Sequence, residues 1–243
     1  MSSVNGIKKL SIIIPAYNEA KTIRKVVEKV LATAFPVEFE IILVDDHSED
    51  RTFKIAQLLN ERLPQHPVVI LRNEVNRGKG YSIRRGMQSA TGDAIIIQDA
   101  DFEYEPSDIP ALLAPMLRDG AQVVFGSRFY GRFWPKGMAL PNMVANRFLT
   151  VLTNLLFGCR LTDMETCYKL IRRDALSGIE LSTQRFDFEP EITCKLVKKG
   201  VRIVERPIGY AGRTASEGKK IKARDFFIAI RVLFQNRFCQ KTA

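Results

Sequence analysis

Leu10-Ser-Ile-Ile-Ile14 is a short, isoleucine-rich run, and Pro15-Ala-Tyr-Asn-Glu19 follows it directly. The run is typical of a buried strand, because β-branched residues favour extended backbone. From Glu19 to Leu31 the apolar residues recur at helical spacing. This pattern predicts that the chain leaves a strand through a polar turn and enters a helix.

The same alternation of apolar runs and helical patterns continues through the first 125 residues. The expected strands are Ile41–Val44, Val68–Leu71, Ala94–Ile97 and Val123–Phe125, and the expected helices run from about Arg51 to Leu63, Lys79 to Ala90 and Pro106 to Leu117. Apolar strands that alternate with helices are typical of a parallel sheet covered on both faces. The sequence therefore predicts an α/β, Rossmann-like, mostly parallel sheet, with its ligand beyond the carboxyl ends of the strands.

The composition indicates a globular protein. The chain has 243 residues, of which 46% are hydrophobic and 26% are charged, and this disfavours disordered and fibrous classes. Met1 to Lys9 has no apolar core of signal-peptide length, and the longest apolar stretch, Phe148 to Phe157, falls short of the roughly 18 to 20 residues of a spanning helix. We expect neither secretion nor a transmembrane helix, and we expect the four cysteines to be free thiols in a reducing cytoplasm.

The positive charge is concentrated at one end of the chain. Thirteen basic and three acidic residues lie between Lys195 and Ala243, so the whole net charge of +10 falls in the last fifth. This asymmetry predicts an anionic partner, such as a membrane surface, a phosphate-bearing lipid or a nucleic acid. Residues 219–243 are expected to form a basic amphipathic C-terminal segment, in which Arg224 to Phe238 is a helix with one apolar side; Leu140 to Phe157 is a second candidate interfacial helix. The alternative is that these apolar positions pack on the main domain.

Acidic side chains follow two of the expected strands. Asp45 and Asp46 begin one polar turn, and Asp99-Ala-Asp101 forms another. Like charges this close are unfavourable unless a cation joins them, and paired carboxylates suit Mg²⁺ or Mn²⁺. The alternative is that these carboxylates cap the helix near Pro106. Arg77-Gly-Lys-Gly80 matches neither the dinucleotide fingerprint nor the phosphate loop. It is either a flexible turn or a set of basic and main-chain donors beside a nucleotide.

Together these motifs resemble family 2 glycosyltransferases with the GT-A fold. The matching stretches are Ser11–Glu19, Ile42–Thr52, Asn76–Gly80, Asp99–Asp101 and Gly126-Ser-Arg128. Three later stretches resemble the polyprenyl-phosphate hexosyltransferase branch, which includes dolichol-phosphate mannosyl- and glucosyltransferases: Asp163–Lys169, Phe186–Glu191 and Arg213 near Glu217. The resemblance covers roughly residues 8–224.

The resemblance implies a GT-A catalytic domain over residues 1–218 and an inverting, metal-dependent transfer of a hexose. The donor would be a nucleotide sugar of the GDP-mannose or UDP-glucose type, and the acceptor a dolichyl or undecaprenyl phosphate. The implied nucleotide-sugar contacts are Pro15, Tyr17, Glu19, Val44, Asp46, Lys79, Asp99 and Ala100. The implied ligands of Mg²⁺ or Mn²⁺ are Asp99, Asp101 and Glu103; the implied catalytic residues are Asp101, Asp163 and Arg128; and the acceptor phosphate would meet Arg128 and Arg213. An arginine is also expected ahead of the membrane-facing helix, where Met138 stands.

Two other functions compete with this hypothesis. A lipid phosphate is already ionised near neutral pH and can attack without a strong base, whereas a glycan hydroxyl acceptor would require Asp163 or Glu189 as a base. Asp163 could instead cap a helix. A basic nucleic-acid-binding protein is disfavoured because no stacking platform is apparent, so we expect no nucleic-acid partner. The expected location is peripheral, on the cytoplasmic face of a membrane, either alone or with a separate membrane protein.

Overall fold

The computed structural model describes residues 6–62, 68–132, 134–183, 185, 187–212 and 223–239. These residues form one seven-stranded sheet with the order β3-β2-β1-β4-β6-β5-β7. The strands are β1 (Lys9–Ala16), β2 (Glu38–Asp45), β3 (Val68–Arg72), β4 (Ala94–Ile97), β5 (Val123–Ser127), β6 (Lys169–Arg172) and β7 (Ile203–Pro207). The helices are α1 (Ile23–Ala32), α2 (Thr52–Arg62), α3 (Lys79–Ser89), α4 (Ile109–Asp119), α5 (Leu140–Phe157), α6 (Phe188–Lys198) and α7 (Ala223–Phe238). Short 3-10 turns precede α4 and follow β6.

The central strand β1 is buried on both faces, as its isoleucines indicated. Ile12 and Ile14 belong to the large core on one face, and Ile13 packs with Ile42 on the other. On that second face α3 lies very close to the sheet: a Cβ atom added at Gly86 would lie 2.6 Å from Ile13 Cγ2. The prediction of an α/β sheet covered on both faces is therefore confirmed.

Strand register brings the polar turns of the first half to one edge. β1 pairs in parallel with β2 and β4, so Ala16 lies opposite Asp45, and Ile13 lies opposite Ile97. The Asp46 amide donates to the Ala16 carbonyl, which carries the β2 chain to the end of β1. The residues that follow all three strands consequently meet at the carboxyl edge.

Strands β6 and β7 were not predicted by the alternating pattern, and β6 is the one that bears on the site. It lies between β4 and β5 and is antiparallel to both. Because β6 runs the other way, the segment that precedes it reaches the carboxyl edge of its neighbours. That segment is Asp163–Tyr168, so a stretch from the second half of the chain enters the same edge as the acidic turns.

The two expected interfacial segments are both helical. The C-terminal helix α7 packs against α5 and α6, and its Ala229, Val232 and Leu233 are buried. The alternative that the apolar positions of Arg224–Phe238 pack on the main domain therefore holds for Leu233, which belongs to the core. The expected boundary between residues 218 and 219 lies outside the described residues. Every described helix is too short or too polar to cross a membrane.

Candidate active site

The loop before α3 is held by Asp46. The buried Asp46 carboxylate accepts hydrogen bonds from Asn73 Nδ2 at 2.7 Å and from the amides of Arg77 at 2.9 Å and Gly78 at 2.7 Å. Gly78 has φ 92°, a conformation that favours glycine. The flexible-turn interpretation of Arg77–Gly80 is therefore wrong, since the first part of this loop is fixed by a carboxylate at the end of β2.

Other acidic residues of the β2 turn have structural partners. The fully buried Asp45 forms an ion pair with Arg72 and accepts the Ser48 amide. Asp50 accepts the Thr52 amide at 2.8 Å at the start of α2. These carboxylates satisfy main-chain donors and a nearby cation, so the convergence of acidic groups does not by itself require a metal here.

The turn after β1 contacts the turn after β4. The Thr22 hydroxyl lies 2.8 Å from Glu19 Oε2 and 2.7 Å from the Ala100 carbonyl oxygen. Tyr17 is partly exposed at the same edge, whereas the Val44 side chain is buried in the sheet core. Apart from Lys79, the predicted nucleotide-sugar residues thus lie at or directly after the carboxyl ends of β1, β2 and β4. They are Pro15, Tyr17, Glu19, Val44, Asp46, Asp99 and Ala100.

Lys79 makes a contact that the sequence did not indicate. Its ammonium lies 2.9 Å from Asp99 Oδ1, 3.1 Å from Glu189 Oε1 and 2.6 Å from Cys167 Sγ. Burial alone would lower the pKa of Lys79, but Asp99, Cys167 and Glu189 together outweigh it, and the pKa is raised well above its usual value. Burial and the same Asp99 charge raise the pKa of Cys167. An ammonium and a neutral thiol therefore adjoin Asp99.

Asp99 and Asp101 are the predicted metal ligands of this turn, and Glu103 does not form a three-carboxylate group with them in the part of the chain that the structure describes. Asp101 Oδ1 accepts the Glu103 amide at 3.0 Å, and the Glu103 carboxylate bonds to Tyr210. Within the described residues there is no group of three His, Cys, Asp or Glu side chains that could hold a metal. Two carboxylates are nevertheless sufficient for Mg²⁺ or Mn²⁺ when substrate phosphates and waters complete the coordination. Glu103 as a third ligand stays a prediction.

Arg128 and Asp163 form a buried ion pair beside this turn. Arg128 Nε lies 2.7 Å from Asp163 Oδ2, and Arg128 NH2 lies 2.7 Å from Oδ1. The Arg128 amide and Asn146 Nδ2 donate to the same carboxylate, each at 2.9 Å. Burial alone would raise the pKa of Asp163, but Arg128 outweighs it and the pKa is lowered. The helix-capping interpretation of Asp163 is wrong, because no helix follows it and its oxygens hold Arg128.

A chain of contacts joins Arg128 to Asp99. The Arg128 guanidinium lies over the ring of Tyr104, 5.9 Å from its centroid. The Tyr104 hydroxyl accepts the Cys167 amide at 3.3 Å, and the Cys167 thiol adjoins Lys79. The acidic turn and the arginine are thereby parts of one site.

The remaining predicted acceptor residues are only partly visible. Arg213 lies outside the described residues. Met138 is buried with Phe129 and Met143, so the position where an arginine was expected lies in a small apolar cluster. Sequence reasoning missed Lys169, which is fully buried and donates to the carbonyls of Met164 and Thr166. The polar motif ahead of the short strand β6 is the sequence signal that could have indicated Lys169.

A mostly parallel, helix-covered sheet with an Asp-x-Asp turn at its carboxyl edge defines a GT-A-like α/β protein. The model of Glycosyl transferase family 2 matches residues 11–179, and the chain belongs to that family. The expectation from the sequence motifs is thus confirmed at the level of the family and the fold.

Two curated relatives carry names that describe lipid-linked sugar transfer. One is a dolichol-phosphate mannosyltransferase of Pyrococcus furiosus, 27% identical over 238 residues. The match covers 93% of this chain but 63% of that relative, so the chain spans less than two thirds of its length. The other is a UDP-N-acetylglucosamine–dolichyl-phosphate N-acetylglucosaminyltransferase of Methanococcus voltae, 31% identical over 216 residues, with 83% of this chain and 85% of the relative covered.

Solved structures share the fold at lower identity. Glucosyl-3-phosphoglycerate synthase from Mycobacterium tuberculosis, in complex with Mn²⁺, UDP-glucose and phosphoglyceric acid, superposes with a TM-score of 0.74. The sequences are 19% identical, and the match covers 97% of this chain and 82% of that one. The same enzyme has also been solved with Mg²⁺ and UDP. At this identity the likeness establishes the fold alone.

Proposed function

We propose that this protein is an inverting, metal-dependent transferase that moves a hexose from a nucleotide sugar to a polyprenyl phosphate. The family membership supports glycosyl transfer, and the names of the two curated relatives support a lipid-phosphate acceptor. The observation that carries the choice of acceptor is that the two candidate bases are already paired with cationic side chains. Asp163 is bound to Arg128, and Glu189 is bound to Lys79.

A hydroxyl acceptor needs a base that can take its proton. Asp163 accepts four hydrogen bonds and has a lowered pKa, which makes it a weak base. Glu189 contacts an ammonium at 3.1 Å. A phosphate acceptor needs no such base, since it is already ionised near neutral pH. The paired carboxylates therefore favour phosphate over a glycan hydroxyl.

The donor would lie along the carboxyl edge. Pro15, Tyr17, Glu19 and Asp46 would surround the nucleoside, and Asp99 and Asp101 would hold Mg²⁺ or Mn²⁺ at its diphosphate. The bound ion would supply charge neutralisation to the leaving nucleoside diphosphate. Lys79 would keep Asp99 oriented, because its ammonium contacts one oxygen of that carboxylate.

Arg128 would position the reacting phosphates. Asp163, which itself accepts a hydrogen bond from Asn146, fixes this guanidinium, so the Arg128 charge is oriented before any ligand arrives. In-line attack by the acceptor phosphate on the anomeric carbon would form the new C–O bond as the bond to the nucleoside diphosphate breaks. A single displacement of this kind inverts the anomeric centre.

A lipid acceptor requires access to a membrane, and α5 and α7 carry exposed apolar side chains suited to it. Five residues of α5 spaced three or four apart are between 51% and 78% exposed: Leu140, Val144, Phe148, Val151 and Leu155. Helix α7 adds exposed Phe227, Phe234 and Phe238, with the exposed Arg231 between them. We call these eight apolar residues the α5–α7 apolar surface.

This surface supports peripheral binding to an anionic membrane. Trp134 and Tyr130, in the loop before α5, are both 46% exposed and belong to the types that anchor proteins at interfaces. The cytoplasmic face remains our choice, because nucleotide sugars are the proposed donors and the basic C-terminal segment suits anionic lipid. A separate membrane protein as partner stays a prediction.

A donor screen tests the proposed function. Purified full-length chain with Mg²⁺ or Mn²⁺ and polyprenyl phosphate would receive labelled GDP-mannose, UDP-glucose, UDP-galactose and UDP-N-acetylglucosamine in separate reactions. We expect one donor to pass label into the organic phase, and chelator to stop it. Nucleotide binding without lipid labelling from any donor would overturn the acceptor assignment.

A further inference from the structure

Glu165 lies in the chain between Asp163, which holds Arg128, and Cys167, which contacts Lys79. It lies two residues from Asp163 and two from Cys167, on the segment that β6 brings to the carboxyl edge. The charges that act on it include those of Glu189, Lys169, Arg128 and Asp163. The side chain therefore belongs to the site, yet neither the metal nor the phosphate assignments use it.

One oxygen of Glu165 lacks a hydrogen-bond donor. Oε1 is inaccessible to solvent and accepts no hydrogen bond from the residues that the structure describes. The nearby cations are committed elsewhere: Arg128 donates to Asp163, and Lys169 Nζ donates to carbonyl oxygens at 2.6 and 2.9 Å. Burial and the charge of Glu189 raise the pKa of Glu165. A buried acceptor without a donor is unfavourable, and such groups concentrate where a ligand completes them.

We propose that Glu165 recognises the transferred hexose, with its carboxyl group hydrogen bonded to sugar hydroxyls. This inference rests on the proposed function. Sugar hydroxyls both donate and accept, so they satisfy a carboxyl group in either protonation state. Phosphate oxygens at neutral pH chiefly accept hydrogen bonds, so they offer no donor to the unpartnered Glu165 Oε1, whereas a sugar hydroxyl does. Glu165 is thus suited to the sugar, whereas Arg128 and Asp99 belong to the phosphates and the metal.

The partial exposure of Glu165 agrees with this assignment. The residue as a whole is neither fully buried nor fully exposed, so a ligand at the edge can reach part of it. As a sugar-binding residue it determines specificity and takes no proton in the reaction. Its contribution should consequently appear in the binding of the sugar portion of the donor and not in the binding of the nucleotide.

Calorimetry with paired ligands tests the proposal. The full chain with Mg²⁺ would be titrated with UDP-glucose against UDP, and with GDP-mannose against GDP. The dissociation constant of the nucleotide sugar, divided by that of its nucleoside diphosphate, measures the sugar contribution alone. For Glu165→Ala we expect the dissociation constant of the nucleotide sugar, relative to that of its nucleoside diphosphate, to rise about tenfold, as for one lost hydrogen bond, while affinity for the nucleoside diphosphate stays within about twofold. For Glu165→Gln the ratio should change less, because glutamine keeps one acceptor oxygen.

The matched control is Glu191→Gln. Glu191 is a buried glutamate on α6, but it bonds to Ser182, Thr183 and Lys195, so its loss should leave the ligand ratio unchanged. Thermal unfolding gives a readout that needs no ligand: Glu165→Gln should match or exceed the wild-type midpoint, whereas Glu191→Gln should melt lower. An unchanged ratio in Glu165→Ala, or equal weakening of both ligands, would overturn sugar recognition. If the wild type binds neither ligand of either pair, the proposed function itself fails, and the inference falls with it.

Discussion

Two carboxylates of the first half, Asp46 and Asp50, are held in a different way from Asp163 and Glu189 of the second half. In the first half, Asp46 accepts main-chain amides from one loop, and Asp50 caps the helix that follows it. In the second half, Asp163 and Glu189 are bound by cationic side chains from distant elements, Arg128 and Lys79. A carboxylate held by a loop shapes that loop, whereas Asp163 and Glu189 each take their counter-charge from one cationic side chain. The second half should therefore be more sensitive to the loss of any one charge.

The largest effect is expected in the first half, where the proposed metal carboxylates lie. Asp101→Asn removes a charge that the proposed ion requires, so we expect transfer to fall by at least about 10³-fold. The fold should remain, because Asp101 makes its described main-chain bond within its own turn. Rates of label transfer and a circular-dichroism spectrum provide the measurement. Asp119→Asn, at the exposed end of α4, is the control. Full metal-dependent turnover in Asp101→Asn would show that the metal site lies elsewhere.

Breaking the Arg128–Asp163 pair should produce the largest loss of stability. Asp163→Asn leaves a buried guanidinium without its counter-charge, which costs about 3 to 5 kcal/mol. Urea unfolding at pH 7 measures this change. The control is Asp174→Asn in the pair with Arg172, where Asp174 is 55% exposed and the expected loss is at most about 1 kcal/mol. Similar losses in the two variants would contradict the greater weight of the buried pair over the exposed one.

Glu191 offers a pH test within the second half, because main-chain amides as well as a lysine hold it. Burial alone would raise its pKa, but Lys195, Thr183 and Ser182 lower it to about 2. Its stabilisation is therefore present above about pH 4.5 and is lost as the pH falls through about 2. Glu191→Gln should lower the free energy of unfolding at pH 7 by up to about 3 kcal/mol and flatten the acid limb. An acid limb as steep as that of the wild type would contradict this.

The smallest expected effect concerns the α5–α7 apolar surface. Leu155 is 78% exposed, and Leu155→Asp should weaken binding to anionic vesicles about tenfold through lost apolar burial and added repulsion. Flotation with phosphatidylglycerol-containing vesicles measures the change. Val69→Asp, on edge strand β3 away from this surface, should bind as the wild type does. Equal loss in both variants would count against a specific membrane-binding face.

The sequence predicted the first half of the fold well because its strands and helices carry strong local periodicity. Ile12, Ile13 and Ile14 sufficed to indicate a strand buried on both faces. The insertion of β6 was invisible, since Lys169–Arg172 is short and its antiparallel partners lie far away in the chain. The same distinction between local pattern and long-range contact applies to the site.

Residues named by motif were found at the expected edge, but their contacts depend on tertiary structure. Asp163 could be mistaken for a capping residue because nothing near it in sequence points to Arg128. Lys79 gave no sign that it would contact Asp99, Glu189 and Cys167, which come from three other segments. In α7, periodicity indicated an apolar side, but the neighbouring helices decide that Leu233 is buried and Phe234 is exposed.

The central claim is that the acceptor is a phosphate and not a hydroxyl. Its most direct test supplies the wild-type protein with the active labelled donor and two acceptors that differ in one group, a polyprenyl phosphate and the matching polyprenol, with a glycan acceptor alongside. We expect label in the polyprenyl phosphate alone. Label in the polyprenol or the glycan, with none in the polyprenyl phosphate, would contradict it.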